Sequence, residues 1–283
     1  MDTSKVKIRI LGYPELEIAL DWAAREGWNP GVNDGKCFHA ADPQGFLAGF
    51  MDERPVATIS AVKYGTSFAF VGFYIVEPEF RGQGLGRRIW YTALEAVEGR
   101  VAGLDGVVAQ QGFYARSGFV LAHRNVRWRG VAEQAVNAPG WVRPASQVGY
   151  SALFAYDREL FGFDRDSFLR AWIGQESAIA RVAVLDGEVK GLGIVRRCRE
   201  GHKIGPLFAD TPSLAEALFL SLTGQLPPGA LFFLDIPEPN PEALALVNRH
   251  GMEPVFDTAR MYRGKAPQLP LQRIFGITSF ELG

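Results

Sequence analysis

Apolar positions along the chain fall into short blocks whose period switches between two and about 3.6, the mark of strands interleaved with helices. Residues 6–11 read as a strand. Residues 14–28 read as a helix with an apolar face of Leu16, Ile18, Ala19, Leu20, Trp22 and Ala23, stopped by Gly27 and Pro30. Residues 45–51 and 55–63 predict two antiparallel strands joined by the polar turn Asp52-Glu53-Arg54. The run FAFVGFYIV at residues 68–76 is apolar at odd and even positions alike, so both of its faces should be covered and it should lie centrally in a sheet. After Glu77 and Pro78 comes RGQGLG at residues 81–86. Leu85, Ile89, Trp90, Leu94 and Val97 then recur at helical spacing as far as Glu98. A strand over 100–108, a short helix over 112–117 ended by Gly118, and a strand over 120–128 complete a first β/α unit.

Residues 132–147 hold Pro139, Gly140 and Pro144 among small polar residues without a clear period, and read as a linker. Beyond them the order of elements repeats. A helix over 153–173 precedes a hairpin over 181–196 turning at Asp186-Gly187, a strand over 203–208 and a helix over 213–222. A strand over 230–236, a helix over 241–249 and a strand ending near Tyr262 follow. FYARSGF, starting at Phe113, and LVNRHGM, starting at Leu246, stand 133 residues apart, and each puts a glycine and a large apolar residue after a short helix. NVRWRG from Asn125 and TARMYRG from Thr258 close the two halves, so the pattern predicts a duplicated fold.

Composition narrows the classes of function. At about 150 residues per domain, 283 residues suggest two domains, and 47% hydrophobic with 22% charged residues is ordinary for a globular chain. A net charge of -1 offers no positive field for a nucleic-acid backbone or an anionic membrane. Cys37 and Cys198 stand alone, and His39, His123, His202 and His250 are scattered, which predicts no metal site and fits a reducing compartment. Residues 1–11 lack an apolar core of signal-peptide length, and no later run reaches about 18 apolar residues, so a cytoplasmic location is expected.

The turn at residues 81–86 carries the chemistry. Gly82, Gly84 and Gly86 let the backbone take positive φ and approach a ligand, while the helix that follows offers unpaired N–H groups and the positive end of its dipole. That geometry suits phosphate, with Arg81, Arg87 and Arg88 adding charge-assisted contacts. A nucleotide-binding loop of the Gly-Lys-Ser/Thr type is absent, and the two antiparallel strands upstream argue against a dinucleotide fold.

The order of elements, with VEPEFRGQGLGRRIW at residues 76–90 and FYARSGF at 113–119, resembles the GNAT (GCN5-related N-acetyltransferase) superfamily over about residues 6–130. The resemblance implies an α/β (α+β) architecture of two tandem GNAT-like domains, each a mixed, mostly antiparallel sheet flanked by helices. Their expected limits are 1–131 for a catalytic domain that binds acetyl-CoA, 132–147 for the linker and 148–283 for a degenerate domain. It also implies transfer of acetyl from acetyl-CoA to a primary amine of a small metabolite or lysine side chain by direct attack, without a metal. Strands four and five would splay apart to admit the acetyl and pantetheine portions alongside Ile75 and Val76. Arg81, Gly82, Gln83, Gly84, Leu85, Gly86 and Arg87 would hold the pyrophosphate, and Tyr114 would protonate the leaving thiolate. Glu77 is the first candidate for the base, with Asp52, Glu53 and His39 as weaker ones. The chain departs from the family at Val107, where many members carry asparagine; Gln110 or Gln111 is a candidate to replace that contact, and either also reads as an exposed helix residue.

In the second half Asn240 keeps that asparagine, but Val247 stands where the tyrosine would be, and the glycine loop has become Ala209-Asp210-Thr211-Pro212-Ser213. Coenzyme binding there is expected to be lost, with Asp210 read as a helix cap. The residues 204–210 and 273–283 resemble the YitH-type C-terminal domain of some GNAT proteins. Trp28 and Phe38 are the expected aromatic wall of the acceptor pocket. Asp157, Arg158, Asp164 and Arg165 read as surface ion pairs. The alternative to an enzyme is an acyl-CoA sensor or scaffold without turnover.

Overall fold

A computed structural model describes residues 6–134 and 138–283. Part of the N-terminal stretch (residues 1–5) and part of the expected linker (135–137) lie outside the described residues. In chain order the elements are β1 (Lys7–Ile10), α1 (Leu16–Arg25), α2 (Asp34–Ala41), β2 (Phe46–Met51), β3 (Arg54–Tyr64), β4 (Phe68–Val76), α3 (Leu85–Ala96), β5 (Val101–Val107), α4 (Gln111–Arg116) and β6 (Phe119–Val131). The second half supplies β7 (Val142–Pro144), α5 (Tyr150–Phe161), α6 (Asp166–Ile173), β8 (Ala178–Leu185), β9 (Glu188–Arg197), β10 (His202–Ala209), α7 (Pro212–Thr223), β11 (Leu231–Pro237), α8 (Pro241–Arg249), β12 (Glu253–Arg263) and β13 (Ile274–Gly276).

One mixed, mostly antiparallel sheet runs through both halves in the order β1-β2-β3-β4-β5-β12-β6-β11-β10-β9-β8-β7, with β13 paired to β10. The halves exchange their last strands. β12 of the second half pairs with β5 of the first, and β6 of the first pairs with β11 of the second. The two exchanged strands lie against each other over most of their length. Apolar residues on alternate faces of this sheet build its cores. One unites Trp22, Phe38, Phe73, Leu160 and Trp172 from both halves, so the halves share apolar burial as well as strands.

The local reasons follow the sequence, with four corrections. Residues 13–15 form a tight single turn before α1, which begins at Leu16. The helix expected over 153–173 is two helices, broken where Gly162 takes φ of 90°. Part of the stretch read as a linker is sheet, since β7 pairs antiparallel with β8. The helix α2 had no periodic signal; Gly35 sits inside it where Leu20 packs close, and Asp34 is buried at its start.

Candidate active site

Strands β4 and β5 run parallel and bonded only from Phe68↔Val101 to Val71↔Leu104. Beyond Gly72, β4 follows β3 through Thr58↔Ile75 and Ala57↔Val76, whereas β5 follows β12 through Asp105↔Arg260 and Val107↔Thr258. The register of β3 against β4 shifts between Thr58 and Ser60, and Phe73 takes φ of 48° at that bulge. The Thr58 hydroxyl fixes it by donating to the Phe73 carbonyl at 2.9 Å. The two strands thus open into a cavity of about 470 Å³ walled by both.

At its mouth, β4 turns into α3. Gly82 and Gly84 have φ of 74° and 86°, and a Cβ on either would meet open space, so these glycines serve backbone conformation rather than neighbour packing. Gly86 differs: a Cβ there would lie 2.5 Å from the Tyr74 hydroxyl. Arg81 folds back over the turn, its Nε donating to the Val76 carbonyl at 2.8 Å and its Nη2 pairing with Glu26 at 2.6 Å. Gln83 donates to the Glu79 carbonyl at 2.8 Å, Leu85 is buried in the core, and Arg87 is exposed.

Of the residues expected to hold coenzyme, Ile75, Val76, Arg81, Gly82 and Gly86 line the cavity. Tyr114 lines it as well, its ring lying so flat on Gly106 that any side chain there would overlap it. Burial pushes the Tyr114 phenol above its ordinary value, reinforced by nearby Tyr74, and burial pushes Tyr74 up to about 12. Both phenols keep their protons across the physiological range. Gln110 and Val107 line the cavity, while Gln111 opens α4.

The base candidates fare differently. Glu77 accepts from Arg25 Nη2 at 2.6 Å and is not among the cavity residues. Asp52 and Glu53 make the β2–β3 turn with φ of 47° and 65°, and His39 packs edge-on against Tyr13 at 5.6 Å. None of these three lines the cavity. The carboxylates that do are Glu26, Asp105 and Glu281. Glu26 is held by Arg81. Asp105 accepts from Nε and Nη2 of Arg260, at 2.8 and 2.6 Å, and from the Asn125 amide at 2.8 Å. Glu281 is 2% exposed, and among the described residues neither of its carboxylate oxygens has a hydrogen-bond partner. No periodic signal marks it, because it enters the cavity on an irregular segment after β13.

Trp28, Phe256 and Phe280 supply the aromatic wall. Phe38 is core, stacked against Phe46 and Trp172. Trp28 is fixed through its carbonyl, which accepts from Arg127 at 2.8 Å, and Arg127 is in turn paired with Asp235 at 2.7 and 2.8 Å in full burial. Asp157 and Arg165 form another buried pair rather than a surface one, at 2.7 Å through both Nε and Nη2 of the arginine. Arg158 and Asp164 pair at 2.7 Å on the surface.

The corresponding opening of the second half is filled. Strands β10 and β11 pair in parallel only over His202–Ile204. Past that point β13 lies antiparallel on β10, and the Ile277 amide donates to the Asp235 carbonyl of β11 at 2.8 Å. Asn240 caps α8 and donates its amide to the Ile274 carbonyl at 2.9 Å. The cap of α7 is Thr211, not Asp210, whose carboxylate is held by Arg273 at 2.6 Å and the Tyr156 hydroxyl at 3.0 Å.

A splayed β4/β5 pair leading into a glycine turn and helix defines an acyltransferase of the GNAT type, and comparison with known proteins agrees. Residues 13–119 match the acetyltransferase (GNAT) family and residues 153–276 match an acetyltransferase (GNAT) domain. The chain is 33% identical to holothin acyltransferase of Pseudoalteromonas sp. (strain SANK 73390) over 269 residues, 95% of this chain and 92% of that one. A solved Pyrococcus horikoshii structure described as a candidate acetyltransferase superposes with a TM-score of 0.83 at 24% identity, covering 99% of this chain and 96% of its own. A tandem GNAT protein from the clavulanic acid biosynthesis pathway superposes with a TM-score of 0.64 at 16% identity, covering 93% and 100%. The chain belongs to the GNAT acetyltransferase family, as a transferase with two such domains in tandem. Among the described residues no helix is long and apolar enough to cross a membrane.

Proposed function

We propose that the protein is a cytoplasmic N-acetyltransferase moving an acetyl group from acetyl-CoA to a primary amine of a small molecule or exposed lysine. One observation carries the reading: the wedge between β4 and β5 joins an open glycine turn at α3 to a proton-bearing Tyr114 in its wall. Bound acetyl-CoA supplies an acyl group activated as a thioester. The unbonded edge of β4 from Gly72 to Val76 offers amides that satisfy a pantetheine arm and, near Val76, polarise the thioester carbonyl. Amides from Gln83 to Arg87, with Arg81 and Arg87, hold the diphosphate. The Val107 position lacks the family's carboxamide, and Gln110 on the same wall supplies a replacement donor. Tyr114 gives its proton to the departing sulfur, a suitable pairing because its phenol stays neutral. Aromatic side chains exclude water around the attacking nitrogen.

The similarity to holothin acyltransferase makes holothin the first acceptor to try, beside alkyl and aryl primary amines and a lysine peptide. Thiol release that requires both acetyl-CoA and an acceptor supports the reading. Tight coenzyme binding without product from any acceptor favours a sensor instead.

A further inference from the structure

Among the described residues Glu281 is the buried carboxylate in the cavity that no arginine or amide claims, and its position is set by an uncommon route. The segment from Ile274 onward threads the opening of the second half and then crosses to the first. Asn240 holds Ile274, and Ile277 bonds to β11. Arg165 donates to the Thr278 hydroxyl at 2.9 Å and the Gly283 carbonyl at 3.3 Å, and the Tyr64 hydroxyl donates to the Leu282 carbonyl at 3.0 Å. The segment passes over two glycines that stand 133 residues apart, the offset that relates the two halves. A Cβ at Gly205 would lie 2.5 Å from the Thr278 carbonyl oxygen, and one at Gly72 would run into the Glu281 carbonyl oxygen. Gly72 precedes the β4 bulge, so the strand that walls the acyl site also seats Glu281.

We propose that Glu281 is the proton acceptor for the attacking amine, and that the second half presents it by clamping this segment in its own closed opening. The proposal rests on the transferase reading above. The nitrogen lone pair forms the N–C bond at the thioester carbonyl, a nitrogen proton passes to a Glu281 oxygen, and the C–S bond breaks as its electron pair leaves on sulfur. Tyr114 protonates that sulfur, and solvent returns the Glu281 proton to Tyr114 at the end of the turn. The groups facing Glu281 are Arg127, Arg196 and Lys203 from β6, β9 and β10, all within reach of its charge, with Asp105, Glu26, Tyr74 and Tyr114 around the cavity. The first two cations are paired, Arg127 with Asp235 and Arg196 with Asp34. Lys203 donates to the Asn29 carbonyl at 3.0 Å. Among the described residues none of the three hydrogen-bonds to Glu281, whose buried oxygens keep their full accepting capacity unused.

The test compares wild type, Glu281→Gln and Glu281→Asp, using the best amine of the panel. The expected result is a fall of kcat/KM by about 100-fold or more for Glu281→Gln at neutral pH, with unchanged coenzyme affinity and melting temperature. Its rate should rise with pH only as the free amine does, and Glu281→Asp should recover part of the rate. An unchanged rate and pH profile in Glu281→Gln overturns the proposal. A second readout needs no turnover: the infrared carboxylate band present in wild type and absent from Glu281→Gln should move when acetyl-CoA, rather than CoA, is added. A band insensitive to that exchange also overturns it, whereas a wild type that acylates nothing counts against the transferase reading itself.

Discussion

Asn240 donates its side-chain amide to the Ile274 carbonyl at 2.9 Å while its oxygen caps α8 by accepting from the Glu242 and Ala243 amides. One carboxamide therefore starts a helix and pins the segment that leads to Glu281. Asn240→Ala should remove a cap and leave a buried carbonyl unpaired, for a loss of about 2–3 kcal/mol. Chemical denaturation measures it; a loss below about 0.5 kcal/mol would contradict this role.

Gly72→Ala should move the segment without touching the diphosphate turn, because the added methyl meets the Glu281 carbonyl. The expected outcome is a lower kcat with coenzyme Kd unchanged, read by steady-state kinetics and calorimetry. An equal loss in both would mean that β4 itself had been deformed.

Tyr114→Phe should lower kcat about 100-fold or more while coenzyme binding holds. Since burial raises the phenol, its protonated form persists as pH rises, and wild-type kcat should show no alkaline fall assignable to Tyr114 up to about pH 10. A fall near pH 8 that disappears in Tyr114→Phe would refute that assignment.

His123 gives the stability a pH signature. Burial, with the charge of Arg260, lowers it from 6.5 to about 4 against the opposing Asn125 contact, so the folded state resists taking a proton that the unfolded chain accepts. The stabilisation is full above the unfolded value of 6.5 and is lost as pH falls toward about 4. Denaturation midpoints across that window should fall less steeply in His123→Gln than in wild type.

Arg127→Met should cost about 3–5 kcal/mol, since it leaves Asp235 buried without its partner. Burial opposes ionisation of Asp235, but Arg127, with the charges of Lys203 and Arg196, holds the carboxyl below its ordinary value. The variant also removes the shorter hydrogen bond on the Trp28 carbonyl and leaves it the 3.4 Å one from Lys203, so acceptor KM should rise in the fraction that folds.

Much of the first half was legible because its signals are local. The two-sided apolar run of β4 predicted a central strand, and glycines at 82 and 84 predicted positive φ where the structure has it, whereas Gly86, read with them, lies within α3. The strand exchange left no such trace, because Val126 and Ala259 look the same whether their partners come from one half or the other. Glu281 escaped for the same reason: its meaning depends on tertiary placement across 209 residues from Gly72. Asp157 and Arg165 looked like surface charge because burial is invisible in a charged pair eight residues apart.

Calorimetric titration of acetyl-CoA into the intact protein tests the central claim most directly. The account predicts one coenzyme per chain, since β13 fills the second opening, with binding weakened about tenfold or more by Gly84→Val at φ of 86°. No heat of binding, or two equivalent sites per chain, would contradict it.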